Sequence, residues 1–201
     1  ADVQQVARGM GLDKRIGPRF LHAGVGYGGS CFPKDVDAFV RLSDHLGYDF
    51  KLLKEVQMIN KTQRDYVMKK IKQELWVVQD KRIAIFGLAF KPETDDVREA
   101  PSLYFVPKLQ EMKAKLRAWD PVAEGKFKEI HPDLECVQDL YECAKDADLV
   151  LILTEWDAVK NIDLKKLKEV MACPVIVDGR NIFKPAEVRA LGFTYHSVGR
   201  G

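Results

Sequence analysis

Residues 81–90 read KRIAIFGLAF. Ile83, Ala84, Ile85 and Phe86 form an unbroken apolar run that stops at Gly87, the pattern of a strand buried on both faces. Toward the C-terminus the pattern repeats with helical stretches between the runs. A helix is expected from about Ser102 to Met112, then the strand KLRAWD (115–120), helices near 123–130 and 137–145, and the strand DLVLILT (148–154). A helix near 163–170, the strand PVIVDGR (174–180), a helix near 185–190 and the strand FTYHSV (193–198) complete it. Strands alternating with helices predict an α/β fold with a parallel sheet covered on both sides.

Toward the N-terminus the character changes near Gln79–Lys81. Residues 1–16 predict a short helix and turn, with Val3, Val6 and Met10 on one face. Pro33 suits a helix start just after Cys31, and Gly47 suits its end. Leu52, Leu53, Val56, Ile59, Val67 and Ile71 predict a long helix from about 50 to 74. Residues 1–79 are therefore expected to be a helical unit and residues 80–201 a Rossmann-like unit.

Composition excludes several classes. A net charge of +2 over 201 residues, 31% of them charged, points neither to nucleic acid nor to a membrane surface. No apolar run approaches the ~18 residues that span a bilayer. Cys31, Cys136, Cys143 and Cys173 form no C-x-x-C pair and cluster with none of the four histidines. No metal site is expected, and the thiols read as reduced, in a cytosolic protein. The chain opens without Met, directly into a helical pattern, and is expected to be part of a longer protein.

The chemistry concentrates in GVGYGGSCFPKD, residues 24–35. Gly24-x-Gly26-x-x-Gly29 nominally matches a dinucleotide fingerprint, but the preceding FLHA is too short and mixed for the buried strand that motif must follow. The other reading is a thiol at a helix N-terminus. Free amides and the positive end of the helix dipole there favour a thiolate and can bring a cysteine from ~8.5 into the ~3.5–7.5 range. Asp35, one turn on, could reach back toward the thiol, and Lys34 adds a cation. A small cysteine buried after a turn remains the plain alternative. For Phe20 the alternative is a core aromatic, and for Lys91 and Arg98 a solvated loop.

Two segments, FLHAGVGYGGSCFPKD (20–35) and GLAFKPETDDVREAPS (87–102), resemble the two signature stretches of the UDP-glucose 6-dehydrogenase family, in family order. The resemblance implies a UDP-binding Rossmann-like domain preceded by the C-terminal part of a central helical dimerisation domain. It also implies that the NAD-binding domain of a longer enzyme lies outside this chain, which alone would be inactive. The implied reaction is a four-electron oxidation of UDP-glucose to UDP-glucuronate with NAD as cofactor, in a homodimer. By the same resemblance Cys31 is the nucleophile and Asp35 orients or activates water. Phe20, Leu21, His22, Ala23, Gly24 and Gly28 wrap the nucleotide sugar, Lys91 and Arg180 contact substrate, and Arg15 reaches the substrate of the neighbouring subunit. Lys34 and Arg98 contact NAD. A sibling acting on GDP-mannose or a UDP-N-acetylhexosamine is the alternative, as is a non-catalytic nucleotide-sugar-binding module.

Overall fold

A computed structural model describes residues 2–200; Ala1, the first residue of the expected N-terminal helix, lies outside them. Three helices come first: α1 (Val3–Gly11), α2 (Phe32–His45) and α3 (Lys51–Leu75). Then follow β1 (Arg82–Phe86), α4 (Ser102–Glu111), β2 (Lys115–Trp119), α5 (Glu124–Ile130), β3 (Glu135–Cys136), α6 (Leu140–Ala144) and β4 (Leu149–Ile152). The chain continues through α7 (Asp157–Lys160), α8 (Leu164–Val170), β5 (Val175–Asp178), α9 (Pro185–Ala190) and β6 (Thr194–Ser197). The six strands make one sheet in the order β3-β2-β1-β4-β5-β6, every pair parallel. That is the α/β sheet expected from the alternating pattern. Order reverses between β1 and β4, and a parallel sheet of this kind opens its ligand crevice beyond the strand C-termini at that point.

The central strands carry apolar side chains to both faces. Ile83 and Ile85 point into one core cluster with Phe105, Leu109 and Leu149; Ala84 and Phe86 point into the other with Val150, Ile152 and Tyr195. This explains why their sequences run apolar without alternation. Val67, Met68, Ile71 and Leu75 of α3 are buried in the first cluster, and Val25 joins them. The second half of α3 is thus one of the layers covering the sheet, so packing continues across residues 79–80. His196 of β6 meets Glu74 of α3 at 2.7 Å across the same seam.

Candidate active site

The loops that follow β1 and β5 meet the cysteine loop, residues 18–31. Residues 88–90 are held almost entirely by side chains. Asp120 Oδ2 accepts from the amides of Leu88 (2.7 Å) and Ala89 (3.1 Å). Ser102 Oγ donates to the Leu88 carbonyl and Thr154 Oγ1 to the Ala89 carbonyl, at 2.5 and 2.6 Å. Asp120 and Thr154 end β2 and β4, where a doubly wound sheet commonly offers ligand groups. Here both are buried and act on the protein's own backbone. Lys91 follows this pinned segment, exposed, with Nζ 5.3 Å from the Phe90 ring centre.

Arg180 follows β5. Its Nε donates to the Leu153 carbonyl (2.6 Å) and its Nη2 to the Phe90 carbonyl (2.8 Å), tying the β4, β1 and β5 loops together. Burial disfavours its charge, and Glu155 at 3.3 Å opposes that. The turn that carries Arg180 is set by Asp178, which is fully buried. Its oxygens accept from the amides of Arg180, Ile182 and Phe183 and from the Tyr195 hydroxyl.

Helix α2 starts at Phe32, so Pro33 is its second residue rather than its first. Cys31 is the N-cap and is exposed; its carbonyl accepts from the Asp35 amide at 2.8 Å, and its Sγ lies 3.8 Å from Ser30 Oγ. The link between Asp35 and Cys31 is therefore main chain. The Asp35 carboxylate is 70% exposed and sits 3.8 Å from Lys34 Nζ, where the sequence suggested a reach toward sulfur. Phe20 is 85% exposed, not a core aromatic, and is held at φ 64°, a region that ordinary side chains seldom adopt. Its ring stands edge-on to Phe32 at 6.2 Å, and Tyr27 stands edge-on to Phe32 at 6.0 Å.

Two glycines of this loop are closely approached by the protein itself. A side chain on Gly28 would sit on the Glu99 carbonyl oxygen. Gly26 has φ +99°, and a Cβ there would lie 2.8 Å from Asn60 Oδ1. Their missing side chains let the loop close onto the protein itself.

Two clefts flank the loop. The larger, about 840 Å³, is lined by Tyr27, Gly29, Ser30, Lys34, Asn60, Lys61, Arg64, Arg98 and Glu99, among others. It brings Lys34 and Arg98 together. Asp96 grips Arg98 through two bonds of 2.9 and 2.8 Å, which hold the guanidinium charged and the Asp96 carboxyl below its usual range. The smaller cleft, about 300 Å³, gathers Leu21, His22, Ala23 and Arg180 with Arg8 and Asn181. Lys91 lines neither, and Arg15 stands apart, 89% exposed and paired with Asp13 at 2.6 Å.

Asn60, Gln63 and Arg64 on α3 were not anticipated. Asn60 Oδ1 accepts from the Tyr27 amide (2.7 Å) and its Nδ2 donates to the Tyr27 carbonyl (3.2 Å). Gln63 Nε2 donates to the Gly24 carbonyl (3.1 Å) and Arg64 Nη2 to the Glu99 carbonyl (3.2 Å). The available signal was an asparagine in the middle of a long helix, where it is a poor helix former.

The four thiols differ in environment. Cys31 and Cys173 are exposed; burial pushes Cys136 up to about 11 and raises Cys143 further. A raised thiol stays protonated below its pKa, so Cys136 presents about one thiolate per thousand molecules at pH 8. Iodoacetamide at pH 8, followed by peptide mapping, is expected to label Cys31 and Cys173 and to leave Cys136 and Cys143 nearly unmodified. Labelling of Cys136 as fast as Cys173 would contradict this arrangement.

Residues 84–185 match the UDP-binding domain of the UDP-glucose/GDP-mannose dehydrogenase family, and residues 1–62 match the central domain of the same family. The chain is 45% identical over 201 residues to UDP-glucose 6-dehydrogenase TuaD of Bacillus subtilis, covering all of this chain and 44% of the relative. It is 41% identical over 208 residues to a UDP-glucose 6-dehydrogenase of Pseudomonas aeruginosa, covering 99% of this chain and 46% of that one. The structure of a UDP-glucose dehydrogenase from Pyrobaculum islandicum superposes with a TM-score of 0.88 at 32% identity, over all of this chain and 44% of the other. The chain thus spans a little under half the length of the relatives it matches.

Proposed function

Because the chain belongs to the UDP-glucose/GDP-mannose dehydrogenase family, we propose that it carries the thiol and the UDP-sugar side of an NAD-dependent UDP-glucose 6-dehydrogenase whose NAD-binding domain lies outside these residues. The observation that carries this reading is Cys31, exposed at the start of α2 between Ser30 and Pro33 of the cationic cleft, on a loop that is bonded to the segments after β1 and β5.

The residues present suit one side of a dinucleotide: Lys34, Lys61, Arg64 and Arg98 outnumber Asp37 and Glu99 in one cleft, a net positive pattern suited to a diphosphate. NAD, when bound, supplies the hydride acceptor for both oxidations. Cys31 Sγ adds to the C6 aldehyde and holds the sugar as a thiohemiacetal; loss of the second hydride leaves a thioester on Cys31. Water opens the thioester, giving the carboxylate and returning the thiol, with Asp35 orienting or activating that water. Lys91, Arg180 and the Phe20–Gly28 loop hold the nucleotide sugar. Arg15, exposed and outside both clefts, reaches a neighbouring subunit in a homodimer. A cytosolic location is part of the same proposal; among the described residues no helix is long and apolar enough to cross a membrane.

Calorimetry on this chain with UDP-glucose, UDP, GDP-mannose and NAD tests the division of the site. UDP and UDP-glucose are expected to bind with a Kd no tighter than about 0.1 mM, because one side of the pocket is missing. NAD is expected to bind more weakly still. Lys91→Ala is expected to weaken UDP-glucose about tenfold, as for loss of a charged contact, and to leave NAD unchanged. NAD binding tighter than UDP-glucose, or GDP-mannose binding best, would overturn the assignment.

A further inference from the structure

We propose that Asn60 is a positioning residue for the Cys31 loop, holding the thiol in register through the backbone of Tyr27. The proposal rests on the reading of Cys31 as nucleophile, but the geometry stands without it. Tyr27 is four residues before Cys31 and 33 before Asn60, and the Asn60 amide both accepts from its N–H and donates to its carbonyl. Only one orientation of the amide satisfies both bonds, so the side chain acts as a short piece of strand paired to the loop. Gln63, one turn on along α3, fixes the Gly24 carbonyl, so the loop is held at two points on one helix face.

The loop around these points is shaped to fit the clamp. Gly26 cannot carry a side chain without meeting Asn60. The Gly29 amide donates to the Arg98 carbonyl at 3.0 Å, and Arg64 of the same helix face donates to the neighbouring Glu99 carbonyl. The α3 face therefore locks the thiol loop and the Arg98 loop to one rigid body, whose far end is packed into the core of the sheet. A hydrophobic residue of similar size at 60 would leave the Tyr27 amide and carbonyl without partners in a part-buried site.

The test uses this chain and two variants, Asn60→Leu and Asn60→Asp. Three rates are measured: exchange of the Tyr27 amide, alkylation of Cys31, and alkylation of Cys143, which is buried and reports general opening. Asn60→Leu is expected to speed Tyr27 exchange about tenfold or more and to change the Cys31 rate at least about threefold, with the Cys143 rate unchanged. Asn60→Asp keeps the acceptor for the Tyr27 amide but loses the donor to its carbonyl, and is expected to change both rates in the same direction by less. Unchanged Tyr27 and Cys31 rates in Asn60→Leu would overturn the proposal. So would a parallel rise at Cys143, which is the mark of a merely structural residue. If Asn60→Leu does not fold, Asn60→Asp decides: Tyr27 and Cys31 rates there both equal to the parent's overturn it. In the longer dehydrogenase, loss of activity on Cys31→Ala tests the nucleophile separately, so failure of that reading is distinguishable from failure of this one.

Discussion

Cys31→Ala, made in the longer dehydrogenase proposed above, is expected to abolish formation of the sugar acid, with turnover falling by several orders of magnitude, as for removal of other enzymatic nucleophiles. The reason is chemical. An aldehyde has no hydroxyl-bearing C–H from which a second hydride can leave until a nucleophile has added to it. With alanine at 31 the first oxidation can still run, so at most one NADH per sugar is expected, with no carboxylate. Structural damage is not a competing explanation, because Cys31 is exposed and its side chain caps nothing. The measurement is NADH released per UDP-glucose consumed, with the product identified by mass. Retention of more than about a tenth of the parent rate of acid formation would remove Cys31 from the role.

The strands were legible in the sequence wherever burial on both faces left a mark. IAIF at 83–86 and LVLI at 149–152 are apolar without alternation because each face of the sheet is covered, on one side partly by α3. What escaped was short and marginal. β3 is two residues, Glu135 and Cys136, at the sheet edge, paired only with Arg117 and Ala118, too brief to form a pattern. α7 is a single turn. By contrast, α1 stops at Gly11 and residues 12–16 turn, the short helix and turn expected over residues 1–16. The packing of α3 against the sheet had no local signature either, because a helix face shows that it wants burial and not what buries it.

The site divides along the same line. GGSCFPKD announces a thiol at a helix start because the residues that make the feature are adjacent in sequence. The contacts that fix its position are long-range: Asn60 to Tyr27, Arg180 to Phe90, the Val25 amide to the Gly179 carbonyl. Nothing in residues 20–35 indicates these partners. The glycines make the same point: Gly26 and Gly28 are approached by Asn60 and Glu99 of the same chain, far away in sequence. Asp120 is the counterpart at a strand end, where position suggested a ligand group and the fold uses it as internal scaffolding.

That scaffolding predicts a large stability effect. Asp120 is 3% exposed, and its carboxylate accepts five hydrogen bonds: from the amides of Leu88, Ala89, Val122 and Ala123 and from Trp156 Nε1. It joins the ends of β1, β2 and β4. Asp120→Ala leaves five donors without their acceptor, most of them buried, and is expected to lower the unfolding free energy by about 3–5 kcal/mol. A domain of this size has about 5–15 kcal/mol in total, so the variant should fold only marginally. Asp120→Asn separates the contributions. Its one remaining carbonyl oxygen can serve the Leu88–Ala89 pair or the Val122–Ala123 pair but not both, so an intermediate loss is expected. Urea unfolding gives the answer: the midpoints should fall in the order parent, Asn, Ala, with a common slope if the native state is otherwise intact. Because Leu88 and Ala89 lead directly into Lys91, Asp120→Asn should also weaken UDP-glucose binding without any contact to the sugar. An Asp120→Ala variant within about 1 kcal/mol of the parent would mean that water or a rearranged loop satisfies these donors, and that the Lys91 loop is not held in place from beneath.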